Sequence, residues 1–300
     1  MRRYLAFVLC AVLLFSGCGP SKPSSAPAIA TTSVSQPSTA VVAWMSDTQY
    51  YSKDYPDIFR SMTAWLAEQQ PAAVLHTGDV VHNMEDAEQW KTAVGALSLL
   101  ENRMPLLIAA GNHDVGHSAL SYTAFTTHLR PFFTPSQYVY GRGCYEQITV
   151  GKREYLLLVI GYGVDDPAVD WLNSVATAHP QATVILATHS YLHVDGSRTT
   201  EGERLYQNVV VPNANIRLVL CGHYHGISQR TDELDDNGDG LPDRTVYQLL
   251  ADYQAEPKGG GGYLRLLHLS EDGQVQVSTY SPYDHKTNYF SDGDSFTLQL

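Results

Sequence analysis

Five times along this chain a strand-length apolar run breaks off into a cluster of Gly, Asp, Asn, Gln, Thr and His. Val41–Met45 runs into Asp47-Thr48-Gln49, Ala73–His76 into Gly78-Asp79, and Leu106–Ala110 into Gly111-Asn112-His113-Asp114. Val184–Ala187 runs into Thr188-His189-Ser190, and Ile216–Cys221 into Gly222-His223-Tyr224-His225. Apolar runs of this length, bounded by turn formers, read as buried strands, and Tyr155–Ile160 is another. Segments with helical periodicity and polar starts lie between them, at Asp57–Gln69, Asp86–Leu100, Ser118–Arg130 and Pro167–Ala178. Past Cys221 the pattern turns to consecutive strands at Thr245–Leu250, Gly262–Leu269 and Gln274–Tyr280. An alternating part followed by a β part predicts an α/β fold of layered sheets with helices outside. Ligands in open α/β sheets gather beyond the carboxyl ends of strands, so five polar strand ends predict one shared cleft.

The foldable part begins only at Val41. Met1-Arg2-Arg3, an apolar run from Tyr4 to Phe15 and Ser16-Gly17-Cys18 supply the basic, apolar and small-residue regions of a secretory signal. The apolar run is shorter than the roughly 20 residues of a membrane-spanning helix. Ser16-Gly17-Cys18 resembles a bacterial lipobox, which implies removal of residues 1–17, a lipid on Cys18 and export to a membrane face. Residues 18–40, rich in Ser, Pro, Ala and Thr, bury too little to offset chain entropy and read as a disordered tether. Residues 41–300 are long enough for one domain with a well-buried core.

A formal charge of −12 disfavours nucleic acid or anionic lipid as a delocalised partner. It permits a phosphate substrate where bound metal reverses the sign locally. With Cys10 in the signal and Cys18 lipidated, Cys144 and Cys221 remain; an exported chain can oxidise them, and the sequence leaves their pairing open.

The donors in the five clusters are carboxylate, amide and imidazole, which suit first-row metals. In this order they resemble the calcineurin-like metallophosphoesterase family, whose signature runs D-x-H, G-D, G-N-H-[DE], H and G-H-x-H. The resemblance covers essentially all of Val41–Leu300 and departs only at the first His, where Gln49 stands. It implies a four-layer αββα sandwich of two mixed sheets flanked by helices. It also implies a dinuclear centre of divalent or trivalent ions (Mn, Fe, Zn or Mg). Asp79 would bridge the pair, with Asp47, Gln49 and His225 completing a first position and Asn112, His189 and His223 a second. The implied reaction is hydrolysis of a small or macromolecular phosphate ester by a hydroxide held between the metals. His113 would be the outer-sphere catalytic histidine and Asp114 a residue to orient it. His82 stands where some members of the family carry an acid for that task.

Gln49 offers an amide oxygen, harder and weaker than imidazole nitrogen. It either retunes the first position toward manganese or magnesium or empties it. The alternative function is therefore a catalytically inactive relative that binds a ligand or partner in the cleft. Outside the five clusters, Asp235, Asn237, Asp239 and Asp243 follow the spacing of a calcium loop around Gly240, with Val246 where the closing Glu would stand. The run Gly259–Gly262 lacks the Gly-Lys-[Ser/Thr] ending of a nucleotide loop and reads as a mobile loop beside the cleft, with Ala251–Gln254 at the same rim. Arg198 and Arg204 read as surface residues.

Overall fold

The computed structural model describes residues 38–133 and 141–300. The expected signal, Cys18 and most of the tether lie outside the described residues. In chain order the first elements are β1 (Thr39–Met45), α1 (Gln49–Lys53), α2 (Pro56–Gln69), β2 (Ala73–His76), α3 (Ala87–Leu97), β3 (Leu106–Ile108), α4 (Asn112–Val115) and α5 (Thr123–Leu129). Then come β4 (Gly143–Val150), β5 (Arg153–Ile160), α6 (Asp166–Ala178), β6 (Thr183–Ala187), α7 (Thr200–Leu205) and β7 (Ile216–Cys221). The last part is β8 (Gly226–Leu234), β9 (Arg244–Asp252), β10 (Leu264–Ser270), β11 (Gln274–Ser281), β12 (Lys286–Thr287) and β13 (Phe296–Gln299).

These strands form two mixed sheets. One runs β12-β11-β10-β1-β2-β3, with β13 also on β11; the other runs β4-β5-β6-β7-β9-β8. β1, β2 and β3 are parallel, as are β5, β6, β7 and β9. Antiparallel partners flank each parallel set: β10 beside β1, β4 beside β5 and β8 beside β9. Parallel strands joined through helices all end on the same side, which is why the polar clusters converge.

The period of two along each strand divides the apolar residues between layers. Val42 and Trp44 of β1 enter the core between the sheets together with Leu157, Ile185 and Leu218. Ala43 and Met45, one residue over, pack on the other face with Phe59 and Leu66 of α2 and Trp90 of α3. On the second sheet Leu156, Leu158 and Leu186 face Leu172 and Val175 of α6 and Leu205 of α7. Helix, sheet, sheet and helix therefore stack in four layers, as the resemblance implies. Side chains start the helices: Asp86 accepts the amides of Glu88 and Gln89 at α3, and Asp165 accepts that of Ala168 at α6.

The structure differs from expectation in three places. The helix expected over Ser118–Arg130 is confined to Thr123–Leu129, because Gly116 terminates the preceding turn and 117–122 carry no helical bonding. Gly143–Val150 and Gly226–Leu234 are edge strands not anticipated. Cys144 lies in the core between the sheets and Cys221 on the far face of the second sheet, and they form no disulfide.

Candidate metal centre

Each cluster is delivered by a strand end that turns sharply. Asp47, Asp79 and His223 all adopt positive φ, at 51°, 55° and 76°, which costs a non-glycine residue energy and persists only where the surroundings enforce it. The surroundings here include two glycines at close approach. A Cβ on Gly111 would overlap the carboxylate and amide of Asp79, and one on Gly222 would overlap Asp47 and Ser46. The backbone of one strand end thus lies against the ligand side chain of the next.

Asp79, His189 and His223 bring one ligand atom each to within 4.8 Å of one another. His189 Nδ1 meets the Thr77 carbonyl at 2.8 Å, which fixes the proton there and turns Nε2 into the site. Nε2 lies 3.0 Å from Asn112 Oδ1 and 3.4 Å from Asp79 Oδ1. Burial opposes a charge on His189, yet Asp79 carries it up to about 10; the same field attracts any cation. Burial pushes Asp79 up, but His189 and His113 hold it below the usual carboxylate range. His223 falls to about 3 through burial and the charge on His189, so it stands neutral with a lone pair to give. Asn112, His189, His223 and Asp79 therefore form one compact donor set.

The other position is more open. Asp47 is buried and accepts the Ser46 hydroxyl and the His223 amide. Burial, then the nearby Asp252 carboxylate, push Asp47 well above its ordinary range. Gln49 is buried with its Oε1 bound to no protein group. His225 is exposed at the mouth of β8, near enough to Asp252 for its charge to act on that carboxylate. A buried amide oxygen with no partner, beside carboxylates that repel one another, fits a cation bound there.

His113 sits at the edge of this cluster. Its backbone amide donates to Asp79 Oδ1 at 2.9 Å, and its Nδ1 donates to the His82 carbonyl at 2.7 Å. Its ring stacks on His82, which stacks in turn on Tyr50. Asp114, expected to orient His113, has backbone amides as its partners. Its carboxylate is buried and accepts the amides of Gly111, Val80 and Val81, at 2.8, 3.2 and 3.0 Å. It therefore clamps two cluster loops together, and the His82 carbonyl orients His113.

The acidic loop between β8 and β9 closes on itself. Asp235 accepts the amides of Gly238 and Gly240, Asn237 that of Asp239, and Asp243 those of Asp236 and Asn237. Among the described residues the Asp79–His189–His223 set is the one such group of three His, Cys, Asp or Glu, and the loop adds none. Arg198 is engaged by Asp232, Glu203 and Gln248, and Arg204 by Asp166. Asp252 and Gln254, at the end of β9, are the site residues the sequence motifs missed. No template spaces them, and "ADYQ" suggested only a place at the rim.

Residues 40–226 match the family model described as calcineurin-like phosphoesterase. The chain belongs to the calcineurin-like phosphoesterase family. Over 274 residues it is 44% identical to "Uncharacterized protein YvnB" of Bacillus subtilis, covering 86% of this chain and 21% of that one. It is 23% identical over 170 residues to a "Probable cyclic nucleotide phosphodiesterase" of Moraxella catarrhalis, covering 52% of this chain and 59% of the other. The chain thus spans about a fifth and three fifths of these relatives' lengths. A dimetal phosphatase from Danio rerio superposes with a TM-score of 0.60 at 12% identity, covering 88% of this chain and 99% of its own, which shows a shared fold. Among the described residues no helix is long and apolar enough to cross a membrane.

Proposed function

We propose that this member of the calcineurin-like phosphoesterase family is an active phosphate-ester hydrolase that is exported and held to a membrane by a lipid on Cys18. The convergence of Asp79, His189 and His223 within 4.8 Å carries the catalytic part of this reading. Asp79 would be shared by two cations, with Asp47, Gln49 and His225 on one and Asn112, His189 and His223 on the other. Cations bound there supply charge to the phosphoryl oxygens and a water of lowered pKa as nucleophile. The chain's own residues do the rest. His189 is oriented by its Nδ1–H bond to the Thr77 carbonyl, which keeps Nε2 turned into the site, where a bound cation would replace the Nε2 proton. His113 has Nδ1 committed to the His82 carbonyl, so only in its imidazolium form would it hold a second proton, on Nε2, to give to the departing oxygen.

The test is hydrolysis of p-nitrophenyl phosphate and its bis-ester with Mn²⁺ present. Wild type is expected to turn over at least one of them, and His113→Ala to lower kcat by about 10²–10⁴-fold. A wild type inert toward mono- and diesters alike would sink the catalytic reading and favour ligand capture. The anchor is tested by cell fractionation: Cys18→Ser is expected to move the protein out of the membrane fraction.

A further inference from the structure

Gln49, like Asn112, differs from the carboxylate and imidazole donors because its two ends are chemically opposite. An amide turned one way offers an oxygen to a cation; turned the other way it offers N–H groups, which repel one. A histidine ligand is kept in its useful tautomer by a partner on its far nitrogen. Gln49 needs an equivalent, and two residues of the β9 end supply it.

The polarity is set at Asp252. Its Oδ1 accepts the backbone amide of Gln254 at 2.8 Å and its Oδ2 accepts Gln254 Nε2 at 3.1 Å. An ionised carboxylate only accepts, so Gln254 must point its NH₂ at Asp252 and its oxygen away. Gln254 Oε1 in turn accepts from Gln49 Nε2. Gln49 Oε1 is left as the end with no protein partner. Asp252, Gln254 and Gln49 are all buried, so solvent does not compete to turn the amides round. Gln49 stands two residues beyond Asp47 and is bonded to Gln254, which places the relay beside the first position, and the charge on Asp252 reaches Asp47.

We propose that Asp252 and Gln254 are positioning residues that hold the Gln49 amide with its oxygen toward the first metal position. The inference rests on the metal-binding reading above. It makes Asp252–Gln254–Gln49 the counterpart, in amides, of a carboxylate that orients a histidine ligand.

The test is calorimetric titration of the full-length chain, in detergent, with Mn²⁺, the bound metal being counted by elemental analysis. Wild type is expected to take up two ions, one held more weakly. In Asp252→Asn, the side-chain oxygen stays on the Gln254 backbone amide and the new NH₂ faces the Gln254 side chain. That amide turns over, the Gln49 amide turns with it, and N–H faces the cation. The weaker site is expected to lose about 10–100-fold in affinity while the tighter site keeps its own. The double variant Asp252→Asn/Gln254→Glu restores the polarity. The amide introduced at position 252 donates to the carboxylate introduced at position 254, and that carboxylate accepts from Gln49. Affinity is expected to return toward wild type. Gln254→Met cuts the relay with every charge in place and is expected to weaken the same site. It also carries the test if Asp252→Asn melts early by circular dichroism. The relay is overturned if Gln254→Met binds like wild type, or if the double variant is no tighter than Asp252→Asn. A wild type that takes up no cation overturns the metal reading together with the relay. A wild type that binds two, with unaffected variants, overturns the relay alone.

Discussion

His113 and Asp114 are neighbours whose duties diverge because α4 turns one side chain outward and the other under the loops. Asp114 accepts three backbone amides of the Val80–Val81 and Gly111 segments. Burial, then Asp79, push its carboxyl up to about 7, and the amides pull against them. Asp114→Ala leaves three buried donors without acceptors, each costing about 1–3 kcal/mol. The expected result is a fall of at least about 3 kcal/mol in urea unfolding; an unchanged midpoint would remove Asp114 from this role. Gln49→His tests the neighbouring idea. An imidazole there can donate one N–H to Gln254 Oε1 and turn its other nitrogen to the cation. It should tighten the weaker site and shift preference from Mn²⁺ toward Zn²⁺ in competition titrations. Asp47, Asp79, Asn112, His113, His189 and His223 could be singled out from the sequence as candidates because each follows a strand closely and fits an ordered motif. Asp252 and Gln254 could not, since their meaning lies in hydrogen bonds to a residue some two hundred positions away.

At the scale of elements the site depends on how closely strand ends can approach. Gly111 precedes α4 and packs directly on Asp79, leaving no room for a methyl group. Its own φ of −96° suits any residue, so the demand is one of space rather than backbone conformation. Gly111→Ala is expected to displace Asp79, the residue proposed to be shared by both positions, and to lower metal uptake below two ions per chain. The core contacts of β1, β2 and β3 are untouched, so far-UV circular dichroism should keep its wild-type form. Unchanged metal uptake would show that the loop yields without moving Asp79. The same scale explains which strands could be read. β5, β6 and β7 are continuous apolar runs because both faces are buried. β8 has no fully buried residue and β4 carries Glu146, Gln147 and Thr149 among its apolar residues, as edge strands can, so neither stood out from a loop. α5 was overextended because Ser118–Tyr122 has helix-compatible residues but no bonding partner for their amides in helical register.

For the whole molecule the question is whether cations hold the fold together or only complete the cleft. The two sheets meet through Val42, Trp44, Leu75, Leu157, Ile185 and Leu218, all in the core between them, while the cation donors lie beyond the strand ends. Burial of that size stabilises at roughly 25 cal/mol per Å² and does not depend on metal. The cleft works in the opposite direction, because burial raises the cost of ionising both Asp47 and Asp252, and the Asp252 carboxylate raises that of Asp47 further. Removing cations should therefore loosen the strand-end loops and leave the sandwich standing. Titration with a chelator is expected to abolish phosphoesterase activity at concentrations where the far-UV spectrum is unchanged. The unfolding free energy should fall by only the linkage amount for a ligand bound to the folded state alone, about 2.7 kcal/mol for a cation present at a hundred times its Kd. If the far-UV signal collapsed in step with activity, the ions would be structural and the sheets could not fold without them. Restoring Mn²⁺ after chelation separates the two cases again: a standing sandwich should regain activity as fast as the ion binds, whereas a chain that must refold should lag behind it.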